Sequence, residues 1–456
     1  MRYARSHLSL FLPVLALAVL GAALCALLLP AENRAVAEHL VGFPDADAAA
    51  HLRRPFVLAA LCFLPALAAA AYAMGDTIDR YITRQFLGIF GICFAALLMI
   101  WLLLDLGDNV GDFRASENFM ATLAWFYASR LPAVLMLLLP YSLLLSLLYC
   151  LGKLSSHREI IAIIQSGRGI FRLTLPLVAA GFFFTLFTIG LNYHWAPLAE
   201  GNKDRILDEA SGRQATEASH VVYRNPAYRR LWVIGAFPAN YEQGEPLADV
   251  EVTTTDENHQ IVSRLSASHA RWDRETRRWT FENALIGNFK PGSPPEYDSP
   301  QGPLHIDTWP ETPWQLIKPG LSAAHLGIPD LNSWLSVNRM YPSSANPAPY
   351  LTQWHYRWAL PFSCLVTVLL ATPLAIHFSR RGPGGGIFLA VVLSAFMLVL
   401  SSIVLAVGEA GIIQPVAAAW LPNVVFTLLA VYLYHRRISG RPIYHILRKL
   451  IPGGAD

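Results

Sequence analysis

Charged residues are scarce in this 456-residue sequence, and their scarcity excludes a soluble globular protein. Asp, Glu, Lys and Arg together make up 15% of the residues, whereas 54% are hydrophobic. Soluble globular domains carry about 25% charged residues. The net charge of +3 is too small to predict nucleic-acid binding. The composition therefore predicts an integral membrane protein.

Cysteines and the motifs of known catalytic sites are also scarce. Five cysteines all lie inside apolar runs, at Cys25, Cys62, Cys93, Cys150 and Cys364, so neither a disulfide framework nor a thiolate metal site is expected. The sequence has no G-x-x-x-x-G-K-[ST] motif for nucleotide phosphates and no H-E-x-x-H or G-x-S-x-G motif. We therefore expect that this chain is not an enzyme and binds no cofactor. If its activity is powered by ATP, a separate subunit binds the nucleotide.

Long apolar runs are what the sequence has in abundance. Each is about 20 residues long, enough to cross the hydrocarbon core of a bilayer. Eight occur, near 9–29, 56–74, 86–106, 131–152, 172–193, 355–377, 387–407 and 414–434. Lys and Arg concentrate in alternate loops, starting at Arg2, Arg80, Lys153, Arg380 and Arg436. The positive-inside rule therefore predicts that both termini are cytoplasmic.

The first two spans, residues 1–73, have three interpretations. A signal peptide would begin in the same way, but the apolar run is long for one and no A-x-A-like cleavage site follows. Met74 opens a stretch, MGDTIDRYITRQF, that is typical of a protein start. Residues 1–73 are then either an added pair of spans or an upstream mis-start, and N-terminal sequencing of the membrane-extracted protein distinguishes these.

About 160 polar residues, 195–354, interrupt the last six spans between the third and the fourth. Runs rich in Val, Thr, Trp and Phe predict strands at 219–224, 230–237, 249–255, 259–268 and 277–289. Strands this short predict a β-sandwich or jelly roll, which the topology puts in the periplasm. Recurring prolines from Pro291 to Pro349 predict an extended connector. Such a domain could hold an acyl chain between its sheets, add a partner's strand, or serve only as a lid.

A short helix is predicted in the loop at 156–167. Four residues share one side of it at i, i+3, i+4, i+7 spacing, namely Ile160, Ile163, Ile164 and Gly167. Ser155 or Ser156 would cap its start, and Glu159 favours the first turn. This helix either offers an apolar ridge and a carboxylate to another protein, or rests on anionic lipid. The second interpretation relies on the basic residues nearby, Lys153, Arg158, Arg168 and Arg172.

Several short segments occur in order over residues 74–437. They are Met74–Arg84, Asp105-Leu106-Gly107-Asp108, Glu159-Ile160-Ile161-Ala162 with Gly167, Asn192 with Pro197, Ala270-Arg271-Trp272 with Arg278-Trp279, Arg357 with Pro361, Pro373, Arg380-Arg381-Gly382, Gly384-Gly385-Gly386, Gly408-Glu409-Ala410-Gly411 and Trp420-Leu421-Pro422-Asn423. In this order they resemble the LptF/LptG (YjgP/YjgQ) family of lipopolysaccharide export permeases. Two features depart from the family. It has six spans where this chain has eight, and residues 163–166 read Ile-Ile-Gln-Ser where small and basic residues are more usual.

The resemblance implies a fold and a division of the chain. The fold is an α-helical integral membrane protein with six family spans, two extra N-terminal spans, and a periplasmic β-sandwich or jelly-roll-like domain between family spans three and four. The parts are 1–73, the extra spans; 74–194, the first membrane half; 195–354, the β domain; 355–437, the second membrane half; and 438–456, a cytoplasmic tail.

The resemblance also implies a function, which is that of a permease subunit in an ABC-type lipopolysaccharide export complex. Its partners would be a cytoplasmic LptB-like ABC ATPase dimer, a second LptF/LptG-type chain, an LptC- or LptA-like periplasmic bridge, lipopolysaccharide and membrane lipids. The residues implied in coupling to the ATPase are Glu159, Ile160, Ala162, Ile163 and Gly167. A mechanotransmitting ABC permease of another class, and a scaffold or receptor without transport, remain alternatives.

Lipid binding requires cations near the outer membrane surface, because lipopolysaccharide carries phosphates beside its acyl chains. Arg114, Arg130 and Arg357 lie at predicted outer ends of spans and are the candidates. Simple snorkelling to the interface is the alternative for each. Asp105 and Asp108, at the outer end of a span, either pair with these arginines or only anchor the end of the helix.

Overall fold

The structure is a computed structural model. It describes residues 2–40, 48–114, 118–210, 216–225, 228–239, 241, 244–258, 260–273, 276–290, 294–340, 346–376 and 384–439. The predicted basic loop at Arg380-Arg381-Gly382 and most of the predicted tail lie outside these ranges.

Helices make up most of the described chain. In order they are α1 (Arg2–Leu40), α2 (Ala48–Leu52), α3 (Arg54–Met74), α4 (Thr77–Arg114), α5 (Phe119–Ser156), α6 (Glu159–Gln165), α7 (Ile170–Tyr193), α8 (Trp195–Ala210), α9 (Pro313–Ile317), α10 (Ile328–Met340), α11 (Ala348–Ala359), α12 (Phe362–Ala375), α13 (Gly384–Glu409) and α14 (Pro415–Ile438).

Seven of the described helices are long and apolar enough to cross a membrane, namely α1, α3, α4, α5, α7, α13 and α14. The sixth predicted run, 355–377, corresponds to two helices, α11 and α12, which meet at a 50° bend and give an eighth span if they count as one. The bend falls at Leu360 and Pro361. Proline causes it, because its ring displaces the preceding turn and it has no N–H for the helical ladder.

The spans pack around a shared apolar core. Its fully buried members include Leu143 and Leu147 of α5, Leu177 of α7, and Val368 and Ala371 of α12. The two N-terminal spans, α1 and α3, pack on each other and reach the rest of the bundle through α7. Gly190 of α7 permits that approach, since a Cβ there would lie only 2.4 Å from a methyl carbon of Leu61.

Eight strands lie between α8 and α9. They are β1 (Thr216–Asn225), β2 (Arg230–Pro238), β3 (Leu247–Thr255), β4 (Ile261–Asp273), β5 (Arg278–Glu282), β6 (Leu285–Asn288), β7 (Glu296–Asp298) and β8 (Leu304–Ile306). The five predicted runs all contain strands. The last of them divides into β5 and β6 because Asn283 turns the chain with φ of 53°, a conformation that Asn adopts more readily than most residues.

The strands form one antiparallel sheet with the order β1-β2-β3-β4-β5-β8, and β7 joins through β6. The 13-residue β4 pairs with β3 along one edge, and with both β6 and β5 along the other. The predicted second sheet is absent among the described strands. Helical segments supply the opposing layer instead, because Trp314, Leu316, Ile317, Leu331 and Trp334 bury themselves against the sheet.

The proline-rich stretch 291–349, predicted to be an extended connector, is largely folded where the structure describes it. It contains β7, β8, α9, α10 and the start of α11. Its prolines suit this because Pro313, Pro329 and Pro347 stand at or just before the first turns of helices. The missing N–H of proline has no helical partner at such positions, so nothing is lost there.

The helical layer is joined to the second membrane half. Trp334 of α10 stacks on Tyr350 of α11 with ring centroids 3.4 Å apart. Nearby, the Trp354 indole N–H donates to Asn332 Oδ1 at 2.7 Å. Buried aromatic contacts therefore hold the helical layer of the inserted domain against α11.

Candidate functional site

The loop helix α6 is shorter than predicted and begins differently. It covers Glu159–Gln165 and follows Arg158, whose backbone is left-handed with φ of 59°. Ser156 does not cap it, because its hydroxyl donates to the Lys153 carbonyl at 2.9 Å. Gly167, with φ of 90°, ends the segment; this conformation favours glycine because it lacks a Cβ.

The apolar side of α6 faces the spans, which corrects the prediction that it forms an exposed ridge. Ile160 is completely buried, and Ile163 and Ile164 pack on the same core of the bundle. Their side chains are covered by neighbouring helices, so burial removes their apolar surface from solvent. Ala162 and Gln165 lie on the exposed side. Of the predicted coupling residues, Ala162 and Gly167 are exposed, and Glu159 is half-buried.

Glu159 connects α6 to α4. Its Oε2 accepts a hydrogen bond of 2.8 Å from the Tyr81 hydroxyl. Basic residues after α6 also reach this region, since Arg172 lies 2.9 Å from Asp79 and 3.2 Å from Asp76. The loop is therefore tied to the first turns of α4 by one hydrogen bond and by ion pairs.

Arg130, a predicted lipid-binding cation, is engaged within the protein. Its guanidinium lies 2.6 Å from Asp105 and 3.7 Å from Glu200. It also lies over the rings of Trp101 and Phe126, at 5.3 and 5.4 Å from their centroids. With 7% of its side chain exposed, Arg130 connects α4, α5 and α8 and presents little surface to a lipid phosphate.

Arg357 is likewise engaged. Its guanidinium donates to the carbonyls of Ala324 and Leu326 and to Asn192 Oδ1. The Asn192 amide donates in turn to the Arg357 carbonyl at 2.6 Å. The pair joins the end of α7 to α11 and to the helical layer of the inserted domain. Arg114, the third candidate, ends α4, and its side chain lies outside the described part of the structure.

The structure contains polar contacts that sequence reasoning missed. His51 lies 3.2 Å from the Ser333 hydroxyl and 3.9 Å from Asp330, and His194 lies 3.4 Å from the same Asp330. Arg54 pairs with Glu32 at 2.7 Å. His51 therefore joins α2 to α10, His194 joins the end of α7 to α10, and Arg54 joins α3 to α1; no local sequence pattern identifies partners that are so far apart in the chain.

A second buried pair lies inside the inserted domain. Glu311 is completely buried and lies 2.9 Å from Arg230, while Asn225 donates to it at 2.9 Å. Burial lowers the pKa of the Arg230 guanidinium, and the negative charge of Glu311 opposes that shift. The pair lies beside Trp232 and Trp279, which are fully buried. The ion pair and the aromatic rings together fill the space under the sheet.

Apolar helices before and after one inserted antiparallel β domain define a membrane protein of the multi-span class with a single large domain between its halves. A family model supplies the more specific assignment. Residues 80–436 match that of the lipopolysaccharide export system permease LptF/LptG, and the chain belongs to this family.

A curated relative agrees with the family match. The lipopolysaccharide export system permease protein LptG of Haemophilus influenzae is 22% identical over 376 residues, which are 80% of this chain and 99% of the relative. Family and apolar helices together make this a multi-pass inner membrane protein and a transporter component. Residues 1–79 lie outside the family match.

Proposed function

We propose that this chain is the permease subunit of an ABC-type lipopolysaccharide export complex. It extracts lipopolysaccharide from the inner membrane and passes it to a periplasmic bridge, while a separate subunit supplies ATP hydrolysis. The observation that carries the proposal is the family match, which runs through both membrane halves and the inserted domain.

The proposed topology follows from charge. Arg80, Lys153 and Arg436 lie at one set of helix ends, and Asp105 and Asp108 lie at the other. The positive-inside rule makes the first set cytoplasmic. Both termini, including the 438–456 tail, are then cytoplasmic, and the β domain is periplasmic.

Coupling to an LptB-like ATPase dimer would use α6. Glu159, Ala162 and Gly167 provide the surface toward the partner, whereas Ile160 and Ile163 fix α6 to the spans through their packing on the core. A force on α6 would therefore reach α4 through the hydrogen bond between Glu159 and Tyr81. It would reach α5, α7 and α12 through the apolar core on which Ile160 and Ile163 pack. ATP binding would close this chain against a second LptF/LptG-type permease and squeeze lipid from a shared cavity, which is a shift between two arrangements.

The β domain would meet an LptC- or LptA-like bridge at its edge. The ten-residue β1 is the last strand at one side of the sheet and pairs only with β2 among the described strands, and an edge strand is the element to which a partner's strand can be added. The interior is less suited to an acyl chain in this arrangement, because Trp232, Trp279 and Phe281 fill it. We therefore favour strand addition over storage of lipid under the sheet.

The contacts of the three candidate arginines decide which of them is proposed to bind lipid. Arg130 and Arg357 act chiefly by holding helices and the inserted domain together, since both are bonded within the protein. Arg114 remains the candidate for contact with lipopolysaccharide phosphate.

Co-purification in mild detergent tests the proposed function. A permease of this class brings with it an ATPase subunit, a second permease chain and lipopolysaccharide, identified by mass spectrometry. Recovery of the intact chain with none of these in repeated preparations would favour the scaffold or receptor alternative and would contradict the transport role.

A further inference from the structure

A large cavity lies between the N-terminal helices and the family region. It has a volume of about 950 Å³, is lined by α1, α3, α4 and α7, and is open on one side. That volume is at the upper end of the usual range for small-molecule sites, about 300 to 1,000 Å³. One wall comes from α1 and α3, which precede the family match, so residues outside the family region help to build it.

The cavity is apolar over most of its depth. Its lining includes Pro65 of α3, Leu87 of α4, and Phe183 and Phe187 of α7. Along α7 the lining extends from Leu175 to Phe187, a rise of about 18 Å. Half of the hydrocarbon core of a bilayer is about 15 Å thick. The depth of the cavity therefore corresponds to one leaflet.

The polar groups of the cavity gather at one end. Arg80 and Arg84 line it there, and their i, i+4 spacing puts both on one face of α4. Asp79 also lines this end, but its carboxylate is already 2.9 Å from Arg172. Arg80 and Arg84 have no ion pair with any carboxylate that the structure describes. Two uncompensated cations at the mouth of an apolar cavity complement a molecule with an anionic head and an apolar tail.

We propose that this cavity binds one anionic glycerophospholipid. The phosphate lies against Arg80 and Arg84, and the acyl chains lie along α3 and α7 toward the middle of the membrane. This site is independent of the export role, and only the identity of its leaflet, the cytoplasmic one, follows from the topology proposed above. It gives the added N-terminal helices a function, since they provide the wall that separates the bound lipid from the bulk bilayer.

Native mass spectrometry of the full chain, with whatever subunits it retains, tests the charge requirement. The protein is placed in nanodiscs of phosphatidylethanolamine and phosphatidylglycerol. The wild type should retain one phosphatidylglycerol in preference to the zwitterionic lipid. Arg80→Gln with Arg84→Gln should reduce this retention by about fivefold for each arginine removed. The matched control is Arg436→Gln with Arg437→Gln, which removes the same charge at the end of α14, outside the cavity lining, and should retain the lipid.

A steric variant tests the position independently of charge. Ala180 lines the cavity, so Ala180→Trp should displace the retained lipid whatever its head group. Ala95→Trp, on the exposed face of α4 outside the cavity, should not. If Ala180→Trp fails to fold, Ala68→Trp serves from the opposite wall.

Three results would overturn the proposal. The first is retained lipid in the bulk proportion of the two head groups, which indicates ordinary surface lipid. The second is equal retention by the Arg80/Arg84 variant and its control. The third is lipopolysaccharide as the retained molecule, which would assign the cavity to the cargo.

Discussion

The Tyr81 hydroxyl donates to Glu159 across the gap between α4 and α6, with an oxygen–oxygen distance of 2.8 Å. The two residues are 78 positions apart, and theirs is the one hydrogen bond described between the side chains of these helices. It joins the helix proposed to contact the ATPase to the first helix of the family region. The Glu159 carboxylate is an acceptor within the chain, and in the proposed function it is also the group offered to the ATPase.

Reversing this charge should stop export without preventing insertion. In Glu159→Arg the acceptor is lost and a cation faces both Tyr81 and the partner surface. We expect lipopolysaccharide release from proteoliposomes to fall to background while the chain still reaches the membrane. Tyr81→Phe removes only the internal bond, typically about 1 kcal/mol, and should reduce release by about fivefold at most. Wild-type release by Glu159→Arg would refute the coupling role of α6.

Arg130 should act on stability more than on lipid binding. Arg130→Met leaves Asp105 buried without its partner, and breaking such a pair costs about 3 to 5 kcal/mol. Thermal unfolding in detergent should therefore begin well below the wild-type midpoint. Glu200→Gln removes a longer contact, 3.7 Å to a half-exposed carboxylate, and should leave the midpoint almost unchanged. A stable Arg130→Met protein with lost crosslinking to lipopolysaccharide would return Arg130 to the cargo site.

Glu311 should be needed for the inserted domain. Its carboxylate receives bonds from Arg230 and Asn225 in a buried position, so Glu311→Leu leaves a guanidinium unpaired under the sheet. Hydrogen exchange of the full chain should rise across β1, β2 and β5, with a loss of about 3 kcal/mol or more. Glu257→Leu, which breaks an exposed pair with Arg229, should leave exchange in these strands unchanged. Equal exchange in both variants would contradict the structural importance of the buried pair.

The edge strand β1 should be the contact surface for the proposed bridge protein. A photo-crosslinking residue at Val222, which is 48% exposed, should capture that partner in membranes. The same residue at Ser266, exposed on the central strand β4, should capture far less. Equal capture at both positions, or capture only at Ser266, would exclude strand addition at this edge.

Gly190 should control the attachment of the N-terminal helices. A larger side chain at this position meets Leu61, so Gly190→Leu should push α3 from α7 and increase protease cleavage between α1 and α3. Gly91→Leu is the matched control, because no atom lies within 4 Å of the added Cβ. Unchanged cleavage in Gly190→Leu would mean that polar contacts such as His51 with Ser333 hold the N-terminal helices to the bundle without this packing.

Local patterns predicted the elements of this fold well. Apolar length located the long helices, and runs rich in Val, Thr, Trp and Phe located the strands, because both signals depend on neighbours in sequence. The contacts of the candidate residues could not be predicted in the same way. Arg357 is bonded to Asn192, which is 165 positions away, and only the folded chain brings them together. The same holds for α6, whose apolar side was identified correctly but whose direction depends on the core that receives it.

The single sheet determines which part of the inserted domain contacts the second membrane half. Because β4 pairs with β3, β5 and β6, the described strands form one sheet, and its buried face is covered by the helical layer. That layer is held to α11 where Trp334 stacks on Tyr350. A tilt of α11 would therefore act first on the helical layer, and the strands would be affected only through it.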